Sequence, residues 1–397
     1  MSGYGVCRDS AYGGGCWPTP PEQRMIEACF ARQDQAREAL RELPALFRTA
    51  GLDPAARQLL PLLCRRWPAS SLDPALAKLG PRHHLALWRQ NRRRLAAAAS
   101  IARGLREASI ECLWLKGVAL LLGAYADVGL RGMADVDFLV REEDTERAIE
   151  WLLGEGWAAE EGFSAAEIVR FMRVGHGWQF ERALGDEKET CDLHWRPVVR
   201  CYSPRVTALF WSGARRADLE GLLALIPCRT DQLFHVCAHG FEWSGSSRIR
   251  WIPDALTLLE TPAEVDWDRL STLAGEAGMT ARMASMLRYL RERFGAEAPR
   301  QVLEALESAP APRWEIREGA LLQKNLPLGF MDSVKWHITH FRRLRRFDAG
   351  WSRRPAAPAF VEYLALFLRV RGAGALASEL WRQIRLRARA SRHFPRR

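Results

Sequence analysis

The sequence predicts an α+β protein in which a small mixed sheet is flanked by N-terminal and C-terminal helical bundles. Three observations carry this. Apolar residues recur at helical spacing from about residue 22 to 107, the period gives way to short apolar runs between about residues 111 and 195, and the helical period then returns. With 397 residues, 48% of them hydrophobic and 26% charged, the chain has the composition of a folded globular protein. It also exceeds one typical core, so two or three packed units are expected.

Residues 1–21 are rich in Gly, Ser, Pro and Cys without apolar periodicity, and read as a flexible lead-in. Residues 22–84 form an N-terminal helical region, with breaks expected at Gly51-Leu52-Asp53-Pro54, between Pro68 and Pro74, and at Gly80-Pro81. A compact α/β unit spans residues 85–200. It opens with the helix former NRRRLAAAASIARGLREA from Asn91. ECLWL, residues 111–115, then reads as a strand, Lys116-Gly117 as a tight turn and VALLLGAYAD as a helix. DVDFLV from Asp135 is a buried strand, and EDTERAIEWLLGEG an amphipathic helix ended by Gly. GWQFER and ETCDLHW are two more strands, joined through LGDEKE as a hairpin. Residues 201–397 form a C-terminal helical domain with a basic tail.

Charge and cysteine usage narrow the function class. A net charge of +11 favours anionic ligands such as nucleotides or nucleic acid without choosing among them. Nine cysteines, with no C-x-x-C pair and no secretory pattern at the start, fit reduced thiols in a cytoplasm. No apolar run approaches the roughly 18 residues of a membrane span, so a soluble protein is expected.

The informative segment is LKGVALLLGAYADVGLRGMADVDFLV, Leu115 to Val140. Asp135 and Asp137 are two apart, so on a strand both carboxylates share one face and repel unless a cation lies between them. Hard oxygen ligands suit Mg²⁺, or Mn²⁺, with further ligands taken from substrate phosphates. Asp192, in ETCDLHW on a neighbouring strand, is the candidate third carboxylate of such a site. At the Lys116-Gly117 turn, Gly117 lets backbone approach a phosphate and the following helix presents its amides to an anion. Lys116 and Arg131 either grip a triphosphate or pair with Asp127 or Asp135 to orient the loop.

The ordered set of Lys-Gly, a helix, R-x-M-x-D-x-D and D-L-H-W resembles the uncharacterised nucleotidyltransferase branch of the DNA polymerase β-like superfamily. The resemblance continues through LFHVCAHGFEW, RWIPDALTLL and VDWDRL, covering roughly residues 85–278. It implies a Mg²⁺-dependent transferase that moves a nucleoside monophosphate from an NTP, ATP foremost, to an acceptor hydroxyl and releases pyrophosphate. Carried over residue by residue, it makes Gly117 the triphosphate turn, Asp135 and Asp137 the metal pair, and Asp192 the third acid. Val118 stands where the superfamily at large places Gly or Ser, whereas Lys-Gly is usual in the narrower branch. The acceptor implied is a small molecule, a sugar or a peptide. A catalytically degenerate nucleotide- or peptide-binding scaffold is the alternative.

His194, His239 and Asp254 are candidate substrate contacts. Each also has a structural reading: a hydrogen-bonded core histidine for the first two, and for Asp254 a domain-bridging acid, an N-cap or a salt bridge. His235, Cys237 and His239 lack a second ligand cluster, which argues against zinc. The arginine clusters HFRRLRRF and WRQIRLRARASRHFPRR are read first as solvated helix faces, with polyanion binding as the alternative.

Overall fold

The change of period near residue 111 becomes the edge between a helical scaffold and a seven-stranded sheet. The computed structural model describes residues 17–50, 54–185, 187–240, 249–322 and 330–393. Its strands are β1 (Cys112–Trp114), β2 (Val136–Val140), β3 (Ala158–Ala159), β4 (Gly177–Leu184), β5 (Glu187–His194), β6 (Ala214–Leu219) and β7 (Leu222–Pro227). They lie in the order β3-β4-β5-β2-β1-β7-β6. The β2–β5 and β1–β7 pairs are parallel and the other neighbours antiparallel, so the sheet is mixed and the fold α+β, as expected.

β6 and β7 lie in the stretch after residue 200 that was expected to be helical. Their hairpin turns on Glu220 and Gly221, both at positive φ (53° and 78°). A turn of that hand normally announces itself as Asn-Gly or Asp-Gly, and Glu in the first position hides it. β7 completes the sheet beside β1 through the parallel register Leu113↔Leu225.

Two local expectations give way to packing. A single helix runs from Pro74 to Glu107, straight through Gly80-Pro81. Pro81 removes one helical hydrogen bond, but Gly80 lets the helix lie directly on Leu60–Arg66: a Cβ there would sit 2.1 Å from Cys64 Sγ. The lead-in also orders earlier than residue 22. Trp17 is buried with its ring 5.8 Å from that of Trp251 and 4.9 Å from that of Tyr289, and a Thr19/Glu22 capping box starts the helix Pro20–Phe30. The remainder of the lead-in, residues 1–16, lies outside the described residues, as do Phe241, Glu242 and Trp243 and the tail side chains beyond Arg385.

One hydrophobic core runs from Trp17 through the sheet to Leu306, so the N-terminal helices, the sheet and the helices that follow it are packed as a unit. A second, smaller core gathers Val174, Tyr202, Phe341, Leu344, Trp351, Ala359 and Tyr363 beneath the C-terminal helices. Among the described residues no helix is long and apolar enough to cross a membrane.

Candidate active site

Register decides which acids meet. β2 and β5 run parallel with Asp137 opposite Asp192 and Leu139 opposite His194. Strand alternation therefore puts Asp137, Asp192 and His194 on one face, with Val136 and Phe138 on the other, where Phe138 packs against Trp114 at 5.6 Å between rings. One ligand atom from each of Asp137, Asp192 and His194 lies within 4.8 Å of the others. Asp135, one residue before β2, lines the same cavity at its rim.

Asp137 is the hub and is 1% exposed. Its Oδ1 faces Lys116 Nζ at 2.6 Å and His194 Nε2 at 3.0 Å. Burial opposes its ionisation, but the Lys116 ammonium and the His194 hydrogen bond outweigh burial and hold the carboxyl far below its usual range. Burial, with the Lys116 charge, pushes His194 below its ordinary value, so the neutral ring donates Nε2–H to Asp137. Asp192 is displaced the other way: burial, then the charge of Asp137, raise it to about 8. Asp137 Oδ2 and Asp192 Oδ1 are both buried and meet no hydrogen-bond donor among the described residues. Two buried carboxyl oxygens without a hydrogen-bond donor among the described residues are a costly arrangement for the protein alone, and the donor set fits a hard divalent cation.

In the turn before this site the left-handed residue is Lys116, at φ 41°. A non-glycine held there is strained, and the ion pair with Asp137 is what anchors it. Gly117 is small for a packing reason: a Cβ would lie 2.6 Å from Met133 Cγ and Sδ and 3.2 Å from Arg131 Nη1. Gly177 does the same for the histidine, since a Cβ there would come 2.9 Å from His194 Nδ1.

A cavity of about 460 Å³ opens over these groups. Its walls come from the Lys116 turn, the start of β2, β5, and two helices that follow the sheet, Arg229–Gly240 and Trp251–Leu258. The volume suits a small ligand of nucleotide size. Arg131, for which either a triphosphate grip or a pair with Asp127 or Asp135 was expected, is clamped by a different acid, Asp254: Nε to Oδ1 at 2.8 Å and Nη2 to Oδ2 at 3.0 Å, with Tyr125 Oη donating to Oδ1 at 2.7 Å. Asp254 is 3% exposed and sits inside its helix, so its position is that of a bridging acid between that helix and the loop before β2, not of an N-cap.

A family model described as an uncharacterised nucleotidyltransferase matches residues 54–295, more than half the chain. The chain belongs to this family. Comparison with curated proteins and with solved structures finds no match. Membership makes the chain a member of a transferase family whose substrate is a nucleotide, and the matched span takes in all seven strands together with both helices that roof the cavity.

Within this nucleotidyltransferase framework, the structure brings Lys116, Gly117, Arg131, Asp135, Asp137, Asp192, His239 and Asp254 to one cavity. His194 does not line it. It lies behind Asp137, 2% exposed, because its place on β5 is one full strand repeat deeper than Asp192. The residue that sequence reasoning passed over is Arg250. It lines the cavity, its Nη2 donates to Gln58 Oε1 at 2.9 Å, and its buried Nε has no acceptor among the described residues. The signal was its position at the head of RWIPDALTLL, one turn before Asp254, but only folding reveals which of Arg131 and Arg250 is already paired.

Proposed function

We propose that this protein transfers a nucleoside monophosphate from an NTP to a hydroxyl of a small molecule, sugar or peptide acceptor, with Mg²⁺ or Mn²⁺ held by Asp137 and Asp192 and assisted by Asp135. The pair of unpartnered oxygens, Asp137 Oδ2 and Asp192 Oδ1, carries this reading. A divalent cation held there supplies Lewis acidity at the phosphate oxygens. The chain's own groups do the rest. Lys116 and the helix Lys116–Gly123 present positive charge and backbone amides to the triphosphate. Arg250, with an unsatisfied N–H, takes the phosphate-gripping role first assigned to Arg131. His194 positions Asp137 through its hydrogen bond and does not touch substrate. Asp192, the second acid of the cluster, is the group we assign to receive the proton of the attacking hydroxyl as pyrophosphate departs. His239, on the helix that roofs the cavity, is the candidate contact for the acceptor. ATP is the first nucleotide to test. The seven described cysteines are all free thiols, which supports a reducing, cytoplasmic setting.

The experiment is pyrophosphate release from each of the four NTPs with Mg²⁺ or Mn²⁺, in the presence of hydroxyl-bearing acceptors of the three classes. Divalent-dependent release that requires an acceptor supports the proposal; nucleotide binding with no release across the acceptor set favours a degenerate scaffold. Arg250→Gln is expected to raise KM for the NTP about tenfold or more while leaving the fold intact, as expected for loss of a charge-assisted phosphate contact. An unchanged KM removes Arg250 from the triphosphate site.

The buried acids also set a pH dependence. Asp192, raised to about 8, keeps its proton in the metal-free protein at neutral pH and must release it to hold a cation. Because its folded value lies above the unfolded one, the metal-free fold loses stability from this group as pH rises from about 4 toward 8. A bound cation reverses that loss. The rise in Tm on adding Mg²⁺ is therefore expected to be larger at pH 8 than at pH 6, and Asp192→Asn abolishes the difference. A Mg²⁺ effect on Tm that is flat across this range contradicts the assignment.

A further inference from the structure

The two helices Arg313–Leu322 and Phe330–Leu344 lie side by side beyond the family-matched span, and a cleft of about 490 Å³ opens between them. Arg313 and Arg317 line one wall, Arg342 and Arg346 the other, and Arg343 the floor beside Trp314. The four wall arginines are exposed, and among the described residues none has an acidic partner.

That lack of partners has a structural origin. Glu315 and Glu318, the acids of the first helix, both point inward and are 2% exposed. Glu318 pairs with Arg282 at 2.6 Å and with His340 at 3.2 Å, and Glu315 accepts the Arg282 backbone N–H at 3.0 Å. Arg345, the remaining arginine of HFRRLRRF, is spent on the carbonyls of Trp351, Ser352 and Arg354. The cleft thus keeps two like-charged pairs, each four residues apart: Arg313 with Arg317 inside one helix, where such a pair costs roughly a few tenths of a kcal/mol, and Arg342 with Arg346, which lies just past the end of the other. The C-terminal helix end favours Arg342, but Arg313 opens its helix at the positive end of the dipole, where a cation is disfavoured. Natural sequences keep such local conflicts chiefly at functional or strained sites.

Arg343 supplies an independent observation. It is 4% exposed, stacks on Trp314 with its guanidinium carbon 3.6 Å from the ring centre, and donates Nη2 to Ala277 O at 3.0 Å. Its Nη1 is buried, with no acceptor among the described residues. A guanidinium that lines the cleft and keeps one N–H without an acceptor, beside four exposed guanidinium forks, is complementary to a multiply charged oxyanion.

We propose that this cleft is a second anion site, separate from the acid-lined cavity, that binds a small ligand carrying two or more phosphate groups. The cleft volume is that of a small-molecule site. A single-stranded nucleic acid would need an open aromatic face for its bases, and one face of Trp314, the only aromatic residue lining the cleft among the described residues, is covered by Arg343.

The test uses the full chain in EDTA with inorganic tripolyphosphate, followed by calorimetry. Arg342→Gln with Arg346→Gln, and separately Arg313→Gln with Arg317→Gln, are each expected to weaken binding at least about tenfold. Arg215→Gln with Arg216→Gln, the same charge change on exposed β6, is expected to leave it within about twofold. Circular dichroism of each variant confirms folding. Equal weakening in the β6 control reduces the cleft to a diffuse basic surface and overturns the proposal. Loss of all binding in Arg250→Gln with none in the cleft variants assigns tripolyphosphate to the first cavity and overturns it too. A single-stranded oligonucleotide that binds more tightly than tripolyphosphate through the same arginines overturns the small-ligand assignment in favour of a nucleic-acid strand.

Discussion

Replacing Asp137 by Asn is expected to lower divalent-dependent pyrophosphate release at least about a thousand-fold, equivalent to ~4 kcal/mol of transition-state stabilisation. The substitution keeps the shape of the side chain and removes its charge. It replaces Oδ2, one of two buried oxygens at the proposed cation position, with an amide nitrogen, and it leaves Lys116, at 2.6 Å, and His194, at 3.0 Å, facing a neutral amide oxygen in place of a carboxylate. The measurement is steady-state release at saturating nucleotide, alongside Tm. A folded Asp137→Asn protein that keeps a tenth or more of the parent rate would sink the proposed chemistry. His194→Gln separates positioning from ligation: it is expected to lower kcat by less than Asp137→Asn, with little change in KM, because it acts through Asp137.

The second large effect falls on stability. Asp254→Asn leaves the Arg131 guanidinium, 8% exposed, without its two-pronged partner and costs about 3–5 kcal/mol. It also changes the group that accepts the Tyr125 hydroxyl. Removing both charges, in Arg131→Met with Asp254→Leu, is expected to recover most of that loss, since a well-packed apolar pair need not be less stable than a buried ion pair. Denaturant midpoints for the single and double variants check this. If Asp254→Asn unfolds at the parent midpoint, the bridge between the helix Trp251–Leu258 and the loop before β2 contributes nothing to the fold. The double variant also reports on function: it restores the wall of the cavity without a cation at position 131, so a parent-like KM places phosphate recognition elsewhere, with Lys116 and Arg250.

Local pattern made much of the sheet legible. Alternation in DVDFLV and ETCDLHW, the Lys-Gly turn and the hairpin between β4 and β5 are short-range features, decided by neighbours within a few residues. The β6–β7 hairpin was hidden because its turn uses Glu220 where side chains with easier left-handed geometry are usual. The Gly80-Pro81 break failed for the opposite reason. A local breaker signal lost to close packing against Cys64, a contact 16 residues away that no window of sequence displays.

For the site, residue types and strand parity by themselves determined that Asp135 and Asp137 share a face and suit a divalent cation, and composition and period determined an α+β chain with helical flanks. Tertiary structure alone decided the partners. It put Asp192 opposite Asp137 through a parallel register, withdrew Arg131 into a buried pair with Asp254, brought Arg250 and its unsatisfied N–H to the cavity instead, and set His194 behind the acid it steadies. The physical reason is that a charge's role depends on which opposite charge reaches it and how much water is excluded. Both are properties of contacts between residues tens to more than a hundred positions apart, which spacing along the chain does not encode.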